Sequence, residues 1–163
     1  MRTLLRCGIL VSILAVSLSV SARHAHAAGT RYFAASTCQV ASGAATFNTS
    51  GQVQNSSGTA LVLWCPLIID PQVTLPAGAP TITVDGFSNS ANNAVTVKVC
   101  STVASGFGQT CSSMNSGTNS SGVFHLTPFI PGVNSGDYPY VLVTMGGPSG
   151  GSFNTFFGYS LSN

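Results

Sequence analysis

Proton transfer near neutral pH most often runs through histidine. Beyond residue 27 the chain has one, His125. It lies between Phe124 and Leu126 and shares a strand face with Val123 and Thr127. A general base is the chemical role open to it, and a hydrogen-bonded histidine on a wet strand face is the simpler one. The same stretch holds three carboxylates, Asp70, Asp85 and Asp137. Asp70 precedes Pro71, Asp85 precedes Gly86, and Asp137 follows Asn134-Ser135-Gly136, so turn chemistry accounts for all three. The serines offer no Gly-x-Ser-x-Gly elbow, and Gly147-Pro148-Ser149-Gly150-Gly151 reads as a turn. The expectation is a protein without catalytic residues.

Metal and ligand chemistry is equally sparse. Asp85 with Asn89, Asn92 and Asn93 supplies oxygen ligands of the kind calcium takes, but with one formal charge and no EF-hand order. A solvated polar loop is the expected reading, with no metal and no cofactor. Exposed aromatics beside Asn and Asp suit sugar stacking, an analogy drawn from secreted β-sandwiches. Trp64, Phe107, Tyr138 and Tyr140 are the residues available for it. Trp64 is expected in the core, because it sits beside Cys65 in an apolar run. Asn48, Asn55 and Asn119 begin Asn-x-Ser/Thr sequons, which matter only in a eukaryotic secretory pathway.

Residues 1–27 read as a secretory signal peptide. Arg2 and Arg6 precede the apolar run Ile9–Val20, and Ala25-His26-Ala27 is a small-x-small cleavage site. Residues 28–163 then form a single domain, long enough for a real core. That part has two basic residues, Arg31 and Lys98, against three acidic ones, a net charge of −1. Nucleic-acid binding therefore has no basic patch to use, and no polybasic stretch suits an anionic membrane surface. Partners are expected among glycans or surface proteins.

Cys38, Cys65, Cys100 and Cys111 remain after cleavage, an even number in an exported chain, which argues for disulfides. Three pairings are possible. Nearest-neighbour closure favours Cys38–Cys65 with Cys100–Cys111. No CxxC spacing supports a zinc site.

The elements that must position these residues are strands. Helical periodicity is absent after residue 27. Short alternating runs punctuated by Gly, Pro, Asn and Ser predict strands near 31–36, 51–55, 59–65, 73–75, 81–85, 94–101, 122–127, 138–145 and 153–161. Without crossover helices the sheets should be mostly antiparallel. The fold class is all-β: a mostly antiparallel two-sheet β-sandwich, with a jelly roll as one form of it and a closed barrel as second choice. Ile82 and Val84 should face the core, with Thr81, Thr83 and Asp85 outside. Val95, Val97 and Val99 should do the same opposite Thr96, Lys98 and a surface Cys100. Leu61–Cys65, apolar on both faces, should be a doubly covered strand. Ser112–Ser121 is low in complexity and should be a mobile loop.

Residues 36–70 carry Cys38, then Gly51-Gln52-Val53-Gln54-Asn55-Ser56-Ser57, the strand Leu61–Trp64, Cys65-Pro66-Leu67 and Asp70. This resembles an uncharacterised family of small exported proteins of proteobacteria and their relatives. That family shares Gly-x-x-x-Asn-x-Ser, an apolar strand ending Cys-Pro-[Leu/Val/Ile], and a nearby Asp. It tends to close on a strand like Phe157-Gly158-Tyr159-Ser160. The resemblance implies an exported bacterial β-rich domain and brings no activity. Many relatives place a late cysteine in a Tyr-rich strand, where Tyr138–Met145 has none.

Together these features point to a secreted, non-enzymatic protein with a binding or structural role at or outside the bacterial cell surface. A hydrolase using His125 with an Asp is the alternative. So is a self-assembling surface protein, favoured by the scarcity of charges that block strand edges. Protein secreted from a bacterial host should have the intact mass of residues 28–163 less four hydrogens. Retention of Met1, or four thiols open to alkylation under denaturing conditions, would contradict the reading.

Overall fold

The computed structural model describes residues 30–68, 81–88, 95–102, 108–113, 115–116, 122–130, 137–148 and 153–162. The expected leader, the expected strand at 73–75, and Asp70, Asn89, Asn92, Asn93, Phe107 and Asn119 lie outside these residues. Strands β1 to β6 span Arg31–Ala34, Gln39–Ser42, Ala45–Phe47, Val53–Asn55, Leu61–Pro66 and Thr81–Ser88. Strands β7 to β12 span Val95–Thr102, Gln109–Cys111, Asn115–Ser116, Gly122–Leu126, Tyr138–Met145 and Thr155–Ser162.

The strands form two separate six-stranded sheets, so the chain is a two-sheet sandwich and not a closed barrel. The first sheet runs β10-β6-β12-β4-β3, with β1 also pairing β12. The second runs β2-β5-β11-β7-β8, with β9 also pairing β7. Every pairing is antiparallel. The long strands follow from β-branched alternation. In β7, Val95, Val97 and Val99 are buried, and in β6 so are Ile82 and Val84, as their spacing requires. They meet Leu61, Leu63, Val141, Val143 and Met145 in one core. Strands β2, β3 and β8 escape the sequence pattern because they are short and mostly solvent-facing, and β9 because it has only two residues.

Two expectations from alternation need correction, and one strand departs from strict alternation. Strand β5 buries Leu61, Leu63 and Cys65, but Trp64 and Pro66 face solvent, so the strand is covered on one face only. Its apolar outer face is therefore a surface feature. Cys100 lies on the outer face of β7, yet it is fully buried, because β8 and the Cys111 sulfur close over it. In β12 strict alternation would set Phe156 against Tyr159 and Leu161, whereas all three enter the core. The register shifts between Phe156 and Gly158, so Phe157 is an extra residue that reverses the facing of everything after it. At Gly158 (φ +154°) a β-carbon would stand 2.3 Å from the Phe33 carbonyl oxygen, so the β1–β12 pairing needs glycine there.

Within the segment expected to be a mobile loop, residues 112–113 and 115–116 are described and are tied to β7. Ser112 bonds Val99 twice, its N–H donating to the carbonyl (2.8 Å) and its Oγ accepting from the Val99 N–H (3.0 Å). Asn115 and Ser116 then pair with Val97 and Thr96.

Both disulfides follow nearest-neighbour pairing, Cys38–Cys65 and Cys100–Cys111. Cys100 and Cys111 stand directly opposite on β7 and β8. Cys38 precedes Gln39, which pairs with Trp64, so the first bridge fixes the start of β2 beside the end of β5. On the chain-entropy model each loop is worth roughly 3 kcal/mol.

The two sheets are joined by polar contacts as well as by the core. Tyr159, stacked on Phe33 with centroids 4.8 Å apart, donates its hydroxyl to the Pro66 carbonyl at 2.5 Å. Burial raises its phenol pKa, and a hydrogen bond with Thr37 pulls the other way. Asn55 ends β4 and is fully buried. Its amide nitrogen lies 2.8 Å from the Thr59 carbonyl, 3.0 Å from that of Met145 and 3.1 Å from that of Gly146. Its Oδ1 accepts from the Ser57 N–H at 2.9 Å and the Ser57 hydroxyl at 2.8 Å. One side chain thus folds the 56–59 turn and holds the first sheet to the end of β11 in the second.

Asn55→Ala removes that amide and takes its donor from the buried Met145 carbonyl. It should lower unfolding free energy by at least about 2 kcal/mol, read as a denaturant midpoint. Asn48→Ala, which removes a solvent-exposed turn contact, is the control. Equal losses in the two variants would contradict the role given to Asn55.

Candidate functional site

The outer face of the second sheet can be read row by row from its register. Residues directly opposite on antiparallel strands point the same way. One row crosses Gln39, Trp64, Leu142 and Lys98. The next crosses Pro66, Tyr140, Cys100 and Cys111, and the third begins with Tyr138 and Thr102. The one tryptophan of the chain and two of its four tyrosines therefore meet on a single outer face.

Trp64, expected in the core, is 51% exposed. Strand pleating explains the reversal: Leu63 and Cys65 take the inward positions, so the residue between them must face out. Its ring lies 5.5 Å from that of Tyr140, tilted by 39°. Tyr138 stands two residues along β11 on the same face and is 70% exposed. These rings, with Pro66 and Pro139, line a groove of about 260 Å³. Gln39 and Thr102 give it hydrogen-bonding groups, and among the described residues none that lines it is charged. The Cys100–Cys111 bridge lies in the row of Tyr140, with the Gln109 amide 2.8 Å from the Cys111 sulfur. Burial raises the pKa of the Tyr140 phenol, so the hydroxyl is neutral and able to donate a hydrogen bond.

Such a surface can stack on flat apolar faces and hydrogen-bond at their edges. It holds no group suited to moving a proton near neutral pH. Phe107, the fourth aromatic that the sequence offered for stacking, lies outside the described residues. Of the sequons, Asn55 is fully buried and committed to its own hydrogen bonds, whereas Asn48 is exposed.

Two of the candidate acid–base residues, His125 and Asp85, sit on the other sheet. Asp85 was expected in a Val-Asp-Gly-Phe turn, but it lies inside β6. Gly86 continues the strand beneath the Phe124 ring, where an added β-carbon would come within 2.4 Å of Phe124 Cζ. Asp85 faces His125 of β10 across the ladder, with Nδ1 and Oδ1 2.5 Å apart. The side chains of this pair are 71% and 30% exposed, on an open strand face. Asp137 precedes β11 and is half-buried, whereas Asp70 lies outside the described residues. Of the calcium ligands considered, only Asp85 is described, and its carboxylate is engaged with His125. Among the described residues no three His, Cys, Asp or Glu side chains gather as a metal site would need.

Comparison with known proteins finds no matching family model, no matching curated protein and no matching solved structure.

Exposed ion pairs contribute at most about 1 kcal/mol. His125→Gln should therefore move the denaturant midpoint by less than that and leave ligand binding unchanged. A hundredfold loss of function at an unchanged midpoint would make His125 catalytic.

Proposed function

We propose that this is an exported, non-catalytic binding protein that works at or outside the bacterial cell surface and takes its ligand on the Trp64–Tyr140–Tyr138 face. One observation carries the proposal. A sandwich with a well-filled core leaves its only tryptophan half-exposed against a tilted tyrosine, beside a groove whose described lining carries no charge. Large exposed aromatics cost solubility, and their clustering marks an interaction surface. The disulfides fit an oxidising compartment, and the leader-like residues 1–27 supply the export route. The resemblance to exported bacterial β-rich proteins agrees with that setting.

A hydrolase is the second reading, favoured by the short His125–Asp85 contact. The openness of the pair counts against it, because a general base works best in a site that positions substrate and excludes water.

A glycan and protein array probed with residues 28–163 tests the proposal. Signals should vanish in the Trp64→Ala/Tyr140→Ala double variant and persist in His125→Gln. Hits that survive the double variant but not the His125 change would reverse the assignment.

A further inference from the structure

We infer that the ligand of this face is an uncharged oligosaccharide or polysaccharide, bound through at least two consecutive sugar units. The inference rests on the binding role proposed above and names the chemistry that the face selects. Trp64 and Tyr140 are tilted by 39°, so one rigid flat ligand cannot lie on both rings. A chain whose successive units turn relative to one another can place one apolar ring face on each. Tyr138 extends the platform by about 7 Å along β11, two residues at the usual strand rise.

The polar groups match hydroxyl-rich units. The Gln39 amide both donates and accepts, and so can a tyrosine hydroxyl. Thr102 Oγ1 lies 3.4 Å from the Tyr138 carbonyl, a long contact that leaves the hydroxyl able to serve a ligand. Charge argues against an acidic glycan, because among the described residues no basic side chain lines the groove. The nearest basic residue in the register, Lys98, is separated from Trp64 by Leu142. A proline-rich peptide could also use aromatic walls. The number of donor–acceptor groups at the groove edge favours the sugar, and the test includes the peptide.

Because Trp64 is the chain's only tryptophan, its fluorescence reports on this face alone. Residues 28–163 are titrated with neutral gluco-, xylo- and N-acetylgluco-hexaoses, their disaccharides, a hexagalacturonate and a proline-rich decapeptide. At least one neutral hexaose should shift Trp64 emission, bind about tenfold or more tightly than its disaccharide, and be insensitive to salt. Tyr140→Ala should weaken it about tenfold, roughly 1.4 kcal/mol, and Tyr140→Phe should restore most of the loss.

Preference for the galacturonate with loss at high salt, or for the peptide, would overturn the inference and leave the binding face standing. No response to any neutral chain at millimolar concentration would also overturn it. The binding face itself falls only if array hits survive loss of both Trp64 and Tyr140.

Discussion

A single buried carboxamide organises one end of this sandwich. Asn55 belongs to the first sheet, yet its nitrogen bonds carbonyls at the end of β11 in the second. Asn154, just before β12, completes the junction: its amide donates to the same Gly146 carbonyl, and its own carbonyl receives the Asn55 N–H. Buried backbone carbonyls must find donors, and here side chains supply them where the ladder stops. The sheets are thereby fixed to each other at a point where hydrophobic packing alone would let them slide. Near the other end of β5, Tyr159 does the corresponding work, and the Cys38–Cys65 bridge ties the start of β2 to the same strand end.

That division of labour leaves the outer faces free to differ. The first sheet presents threonines and the His125–Asp85 pair. The second presents Trp64, Tyr140 and Tyr138 over a neutral groove. With the core filled by aliphatic side chains and by the rings of Phe124, Phe156 and Tyr159, none of these three outer rings is needed inside. Their position is a consequence of strand register, because each lies at an odd step from an inward residue of β5 or β11.

Much of the architecture was legible in the sequence. The period-two runs of Thr81–Asp85 and Val95–Val99 gave correct faces, and Tyr138–Met145 gave correct bounds. Both disulfide pairs followed from proximity along the chain. The Gly-x-x-x-Asn-x-Ser motif was visible, but its meaning was not: Asn55 and Ser57 are structural, and only the fold shows which carbonyls they serve. Trp64 is exposed although its neighbours are apolar, because alternation places Leu63 and Cys65 inside and the residue between them outside. The β12 bulge was hidden because one extra residue leaves no mark in composition. Asp85-Gly86 resembled a turn because glycine in a strand is rare, and here the Phe124 ring fills the space that a side chain would have taken.

The central claim is that the aromatic face, and not the histidine–aspartate pair, meets the ligand. A two-dimensional amide NMR titration with the first ligand identified tests it most directly. Shift changes should cluster at Gln39, Trp64, Thr102 and Tyr138–Tyr140, with Asp85 and His125 unmoved. Changes centred on Asp85 and His125, with the aromatic rows silent, would contradict the account.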